Sequence, residues 1–118
     1  MLRVVVCVSG GGTNLQAIID GIANGSVFHT EIVRVVCNNP GVRALERAKA
    51  AGIESVCVSP KDFEDREAFE AALCRSVEEA SPDLIVLAGF MVKVPAELIK
   101  KYENRIINVH PALIPAFC

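Results

Sequence analysis

The chain has 118 residues, 52% of them apolar, 22% charged and 5% aromatic, and carries a formal net charge of −2. Low hydrophobicity with high net charge is the signature of disorder, and neither is present; 12 basic residues facing 14 acidic ones, with no basic stripe, argue against a nucleic-acid module. A chain of this length makes one domain or part of one, and folding buries roughly 65% of its unfolded surface.

A mean hydropathy of +0.40 raises the question of a membrane. The longest apolar or glycine stretch is residues 84–92, far short of the roughly 20 residues a spanning helix needs. The run after Arg3, residues 4–8, meets glycines too soon to be a secretory core. No membrane is therefore expected, and the hydrophobicity points to strands buried on both faces of a parallel sheet. The cysteine count, 5, is odd and lacks a Cys-x-x-Cys pair. Cys7, Cys37 and Cys57 lie in apolar runs, so reduced thiols of a cytoplasmic protein are expected. With only His29 and His110 to add, no metal site is expected.

Taken in order, residues 2–8 form a β-branched first strand that stops at Ser9-Gly10-Gly11-Gly12. Thr13 and Asn14 are placed to cap a helix whose apolar face is Leu15, Ile18, Ile19 and Ile22, with Gly25 ending it. Residues 31–37 make a second strand, closed by the turn Asn38-Asn39-Pro40-Gly41. A helix over 42–51 and a strand over 54–58 follow. The longest helix is predicted over 63–80, with Phe69, Leu73 and Val77 inward and Asp62, Glu64 and Asp65 near its positive end. Residues 84–88, the most hydrophobic strand, are expected at the centre of the sheet. A Gly89-Phe90-Met91 turn, a short helix over 95–102 and a fifth strand over 105–109 complete the pattern, since Pro111 cannot continue a ladder. Repeated strand–helix units predict an α/β fold: a Rossmann-like open parallel sheet with helices on both faces. No second domain, linker or repeat is visible.

Two motifs carry chemistry. Three glycines between a strand and a helix suit a phosphate cradle, because free backbone N–H groups and the helix dipole meet there; a tight turn without ligand fits equally well. The third glycine of a dinucleotide fingerprint is replaced by Leu15, no acidic residue ends the second strand, and Gly-Lys-Ser/Thr is absent. A small phosphate-bearing ligand remains. The second motif is Asn108 and His110, two apart and so on one face of the fifth strand. An amide that binds a developing oxyanion beside an imidazole that moves protons suits acyl transfer. The pair alone reads more readily as a turn Asn and a packed His. Arg66 by itself reads as a solvated cation.

Together these segments resemble the glycinamide ribonucleotide formyltransferases. The matching stretches are residues 9–18 (Ser-Gly-Gly-Gly-Thr-Asn-Leu-Gln-Ala-Ile), Asp65-Arg66-Glu67-Ala68, residues 87–91 (Leu-Ala-Gly-Phe-Met) and residues 107–115 (Ile-Asn-Val-His-Pro-Ala-Leu-Ile-Pro), in family order. The resemblance implies phosphoribosylglycinamide formyltransferase activity, with a formyl group passing from 10-formyltetrahydrofolate to the amine of glycinamide ribonucleotide in purine synthesis. It implies that Gly12, Thr13 and Asn14 hold the substrate phosphate. Arg66 and the segment Met91, Val92, Lys93 and Val94 would face the folate, with Asn108 beside it. Asn108 and His110 would be catalytic, with no metal, and a homodimer is compatible. The family often has a basic residue at the position of Val92, and Lys93 comes one position later. It also has a catalytic Asp downstream of position 118, so the resemblance covers the N-terminal portion of one family domain. Formyltetrahydrofolate hydrolase and methionyl-tRNA formyltransferase share the Asn-x-His logic without the glycine opening. A non-catalytic nucleotide-monophosphate module would need only the glycines.

Overall fold

The computed structural model describes residues 1–27 and 29–109. His110 and the motif residues 111–115 lie outside the described residues. Five strands alternate with helices: β1 (Leu2–Val8), α1 (Thr13–Ala23), β2 (Thr30–Cys37), α2 (Arg43–Ala50), β3 (Ser55–Cys57), α3 (Arg66–Glu78), β4 (Leu84–Ala88), α4 (Ala96–Lys101) and β5 (Ile106–Val109). All neighbouring strands are parallel, in the order β3-β2-β1-β4-β5. This is the Rossmann-like sheet expected from the strand–helix alternation. No described helix is long and apolar enough to cross a membrane.

Side-chain alternation divides the interior in two. Val5, Cys7, Val36, Ile85 and Leu87 pack under Phe69, Leu73, Val77 and Leu98, the buried faces of α3 and α4. Val4, Val6, Val8, Val35, Val86 and Ala88 pack under Leu15 of α1 and Ala44 and Ala48 of α2. Both faces of β1 and β4 are covered, which is why these strands read as continuous apolar runs rather than alternating ones.

Three expectations need correction. The sheet centre is β1, with β4 one place toward β5; both strands are buried on two faces, and run hydrophobicity does not order them laterally. The cap of α1 is Gly12, in the left-handed region at φ 78, with no side-chain cap bond; Thr13 and Asn14 are already helical. The long helix begins at Arg66 rather than 63. Pro60–Asp62 first form one 3-10 turn, capped by the Ser59 side chain, and the Asp65 side chain then accepts the Ala68 amide to start α3.

Candidate functional site

Because every strand runs the same way, the loops after β1, β2 and β4 and the C-terminal end of β5 all lie at one rim of the sheet, where ligands bind in open α/β folds. The loop after β1 is held from below. Ser9 is 4% exposed, and its hydroxyl oxygen accepts the Met91 amide at 2.7 Å, tying this loop to the one after β4. The Asn39 side-chain amide donates to the Ser9 carbonyl at 2.6 Å, bringing in the loop after β2. The Cys37 thiol and Asn39 backbone hydrogen-bond each other, which fixes that turn.

From the side the glycines are held by α2. The Ala44 amide donates to the Gly10 carbonyl at 3.3 Å. Arg47 donates from Nε to the Gly11 carbonyl at 2.8 Å and from Nη1 to Gln16 Oε1 at 3.2 Å. A Cβ on Gly12 would stand 2.9 Å from the Cα and Cβ of Ala44, whereas among the described residues one on Gly10 or Gly11 meets nothing within 4 Å. Gly12 is therefore required by its positive φ and by its approach to α2. Gly10 and Gly11 border open space. The first amide of α1 with a protein acceptor is that of Gln16, on the Gly12 carbonyl at 2.8 Å. Among the described residues, the amides of residues 11–15 donate to no protein group. Thr13 is exposed and Asn14 half-buried beside them.

Across the rim, Met91 is 83% exposed and Lys93 is exposed, while Val92 and Val94 turn back onto the α3–α4 core. Val92 and Lys93 thus face different ways, as their adjacency predicts. Phe63, Arg66, Phe69 and Val92 line an open cleft of about 400 Å³. Phe63 meets Phe69 edge to face at 6.1 Å, forming its apolar floor. The Arg66 side chain, 70% exposed, pairs with Glu70 at 3.1 Å. Asn108 stands on β5 opposite Leu87 and is exposed. The register puts it on the α3–α4 side, the side of this cleft.

The structure so brings Gly12, Thr13 and Asn14 to one loop, Arg66 and Val92 to one cleft, and joins the two regions through Ser9. Sequence reasoning missed Ser9, Asn39, Ala44 and Arg47. The Asn pair after β2 was legible as a turn, and only its partner across the sheet makes it part of the site. The Asn38 side-chain oxygen is buried without a partner among the described residues. Those residues contain no group of three or more His, Cys, Asp or Glu that could hold a metal ion.

A family model described as formyl transferase matches residues 2–118. The chain belongs to the formyl transferase family. Among relatives, it is 44% identical over 116 residues to the trifunctional purine biosynthetic protein adenosine-3 of Drosophila melanogaster, covering 98% of this chain and 9% of that protein. It is 36% identical to the phosphoribosylglycinamide formyltransferase of Escherichia coli, covering 98% of this chain and 54% of that one. A crystal structure of glycinamide ribonucleotide transformylase 1 from Geobacillus kaustophilus superposes with a TM-score of 0.87 at 38% identity, over 100% of this chain and 62% of that one. This formyl transferase chain therefore spans about half the length of the E. coli relative and under a tenth of the Drosophila one.

Proposed function

We propose that the chain is the N-terminal, nucleotide-binding portion of a phosphoribosylglycinamide formyltransferase domain. Its reaction moves a formyl group from 10-formyltetrahydrofolate to the amine of glycinamide ribonucleotide. The observation that carries this reading is the 2.7 Å bond between Ser9 Oγ and the Met91 amide. It ties a loop of unpaired amides to a segment beside an apolar cleft, as a reaction between an anionic nucleotide and a flat heterocyclic donor requires. Relatives named for this activity support the same reading.

In this proposal the amides of residues 11–15, with the side chains of Thr13 and Asn14, receive the substrate phosphate at the positive end of α1. Met91, Val92, Lys93 and Val94 present backbone to the pterin of the donor. Val92 supplies an apolar wall where the family often has a cation. Arg66, mostly in water and paired with Glu70 alone among the described residues, can exchange that partner for a carboxylate of the donor's tail. The substrate amine attacks the formyl carbon and charge gathers on the formyl oxygen; collapse of this tetrahedral intermediate breaks the bond from the formyl carbon to N10 of the donor, so tetrahydrofolate leaves taking up a proton as the attacking amine gives one up. Asn108 donates its amide N–H to that oxyanion, and His110, outside the described residues, assists the proton transfers. A cytoplasmic location and a homodimer belong to the same proposal. Light scattering tests the dimer.

The deciding experiment is formyl transfer from 10-formyltetrahydrofolate to glycinamide ribonucleotide by the chain extended to its E. coli relative's length. Asn108→Ala should lower turnover about 100- to 1000-fold, the scale for one oxyanion donor. Wild-type turnover in that variant removes Asn108 from the mechanism, and no transfer by the extended parent removes the function.

A further inference from the structure

Helix α2 holds the glycine loop by its carbonyl oxygens alone. Gly10 O accepts from the Ala44 amide and Gly11 O accepts from Arg47 Nε. In a trans peptide the N–H points opposite to the C=O of the same plane, and the chain has no cis bond among its described residues. Fixing the Gly10 carbonyl on α2 therefore turns the Gly11 amide away from α2. Fixing the Gly11 carbonyl on the Arg47 guanidinium turns the Gly12 amide away in the same manner. These two amides are then added to the unpaired ones of Thr13, Asn14 and Leu15. No other hydrogen bond among the described residues reaches the Gly11–Gly12 peptide plane. Gly11 has no side chain to restrain it, and a Cβ there would meet only open space.

We infer that Arg47 is a positioning residue. Its guanidinium pins the Gly11 carbonyl so that the Gly12 amide is held toward the substrate phosphate. The role rests on the phosphate site proposed above, and it concerns a side chain that points at the loop from behind. Arg47 Nη1 is also engaged, on Gln16 Oε1 of α1, which orients the planar guanidinium between the loop and α1. A cation placed behind the loop has a second effect: hydrogen bonding to a charged donor polarises the peptide and strengthens the opposite N–H as a donor.

Two substitutions separate pinning from charge. Gln places its side-chain amide nitrogen at the chain position of Arg Nε, so Arg47→Gln retains a donor for Gly11 O without the cation. Met has similar length and no donor. Residual dipolar couplings of the Gly11 and Gly12 N–H vectors, read in the ligand-free chain, report the plane directly. Arg47→Met should change the Gly12 coupling and Arg47→Gln should leave it near the parent value. Amide couplings outside residues 10–16 and 43–47 should be unchanged in both, showing an intact fold. Inorganic phosphate is then titrated while the amide shifts of residues 11–15 are followed. Arg47→Met should weaken its binding about tenfold, and Arg47→Gln should stay within about threefold of the parent. A Gly12 coupling that is unchanged in Arg47→Met overturns the inference, as does equal weakening in both variants, which would assign the effect to charge. If phosphate leaves the amides of the parent chain unmoved, the phosphate site fails instead, and the couplings alone judge the pin.

Discussion

The Ser9 hydroxyl oxygen accepts an amide 82 residues away in the chain, in a part-buried bond between a buried Ser9 and an exposed Met91. Replacing Ser9 by Ala removes the partner of the Met91 N–H, at a cost of about 0.5–1.5 kcal/mol for a typical intramolecular hydrogen bond. Urea unfolding of Ser9→Ala should show that loss, and an unchanged midpoint would mean that water replaces the hydroxyl there. The sequence made the glycine triplet legible because three small residues between a strand and a helix are a local pattern. The work of Ser9 was hidden because its partner is set by strand order, which no local window contains. Gly12 shows the complementary case. Its identity was read as room for a ligand, and its Cβ position turns out to face Ala44, so the same residue serves packing and the loop's shape together.

Helix α3 shows how an element is tied down at its end. Three cations gather at its C-terminal half, where the helix dipole is negative. Arg3 donates from Nη2 to the Ala80 carbonyl at 2.6 Å and from Nε to the Ser81 carbonyl at 3.1 Å. Arg34 donates to the Ser76 carbonyl at 2.7 Å and pairs with Glu54 at 2.7 Å and Glu79 at 3.3 Å. Lys101 of α4 pairs with Glu78. Arg34 reaches α3 from the middle of β2 at a register shift between Val4 and Val5, where Ile32 and Arg34 oppose consecutive β1 residues. Such an irregularity leaves no mark in hydrophobic patterning, so residues 31–37 read as a plain apolar strand. Its two carboxylate partners are themselves exposed and contribute little, so the Ser76 carbonyl carries the effect. Arg34→Met should cost on the order of 2 kcal/mol in chemical unfolding, with little change at 1 M salt. A loss that salt abolishes would assign the stability to the ion pairs instead.

For the molecule as a whole, strand existence was legible throughout and lateral order was not. An apolar run reports burial on both faces, which β1 and β4 share. The same burial governs the response to pH. The Cys7 thiol, enclosed between strands and helices, is pushed by desolvation from 9.0 up to about 12. Cys74 rises to about 11, through desolvation first and then the carboxylates of Glu97, Glu78 and Glu70. In the unfolded chain these thiols ionise first, so the folded state's advantage is complete below pH 9 and shrinks as pH climbs toward those values. Unfolding free energy should be flat from about pH 7 to 8 and then fall by roughly 2–3 kcal/mol per pH unit above about 9, ~1.4 from each of the two thiols. Cys7→Ala should flatten part of that slope. A slope that Cys7→Ala leaves intact would point to other groups.

The seven-residue β1 precedes β2 to β5 in the chain and is the middle strand of the five described. On one side it pairs with Thr30 onward, and on the other with Leu84 onward. The first partner closes a short loop and the second a long one, and the entropy of closure separates them in time. During translation β1, β2 and β3 can zip together while the far flank of β1 still has open amides and carbonyls. That flank is sealed only when residues 84–88 leave the ribosome. The same event completes the Ser9–Met91 bond, so the phosphate-facing loop reaches its final shape as the last inner strand docks. A nascent chain stalled before residue 84 would carry the glycine triplet and an unprotected strand edge together, the combination that a chaperone would be expected to cover.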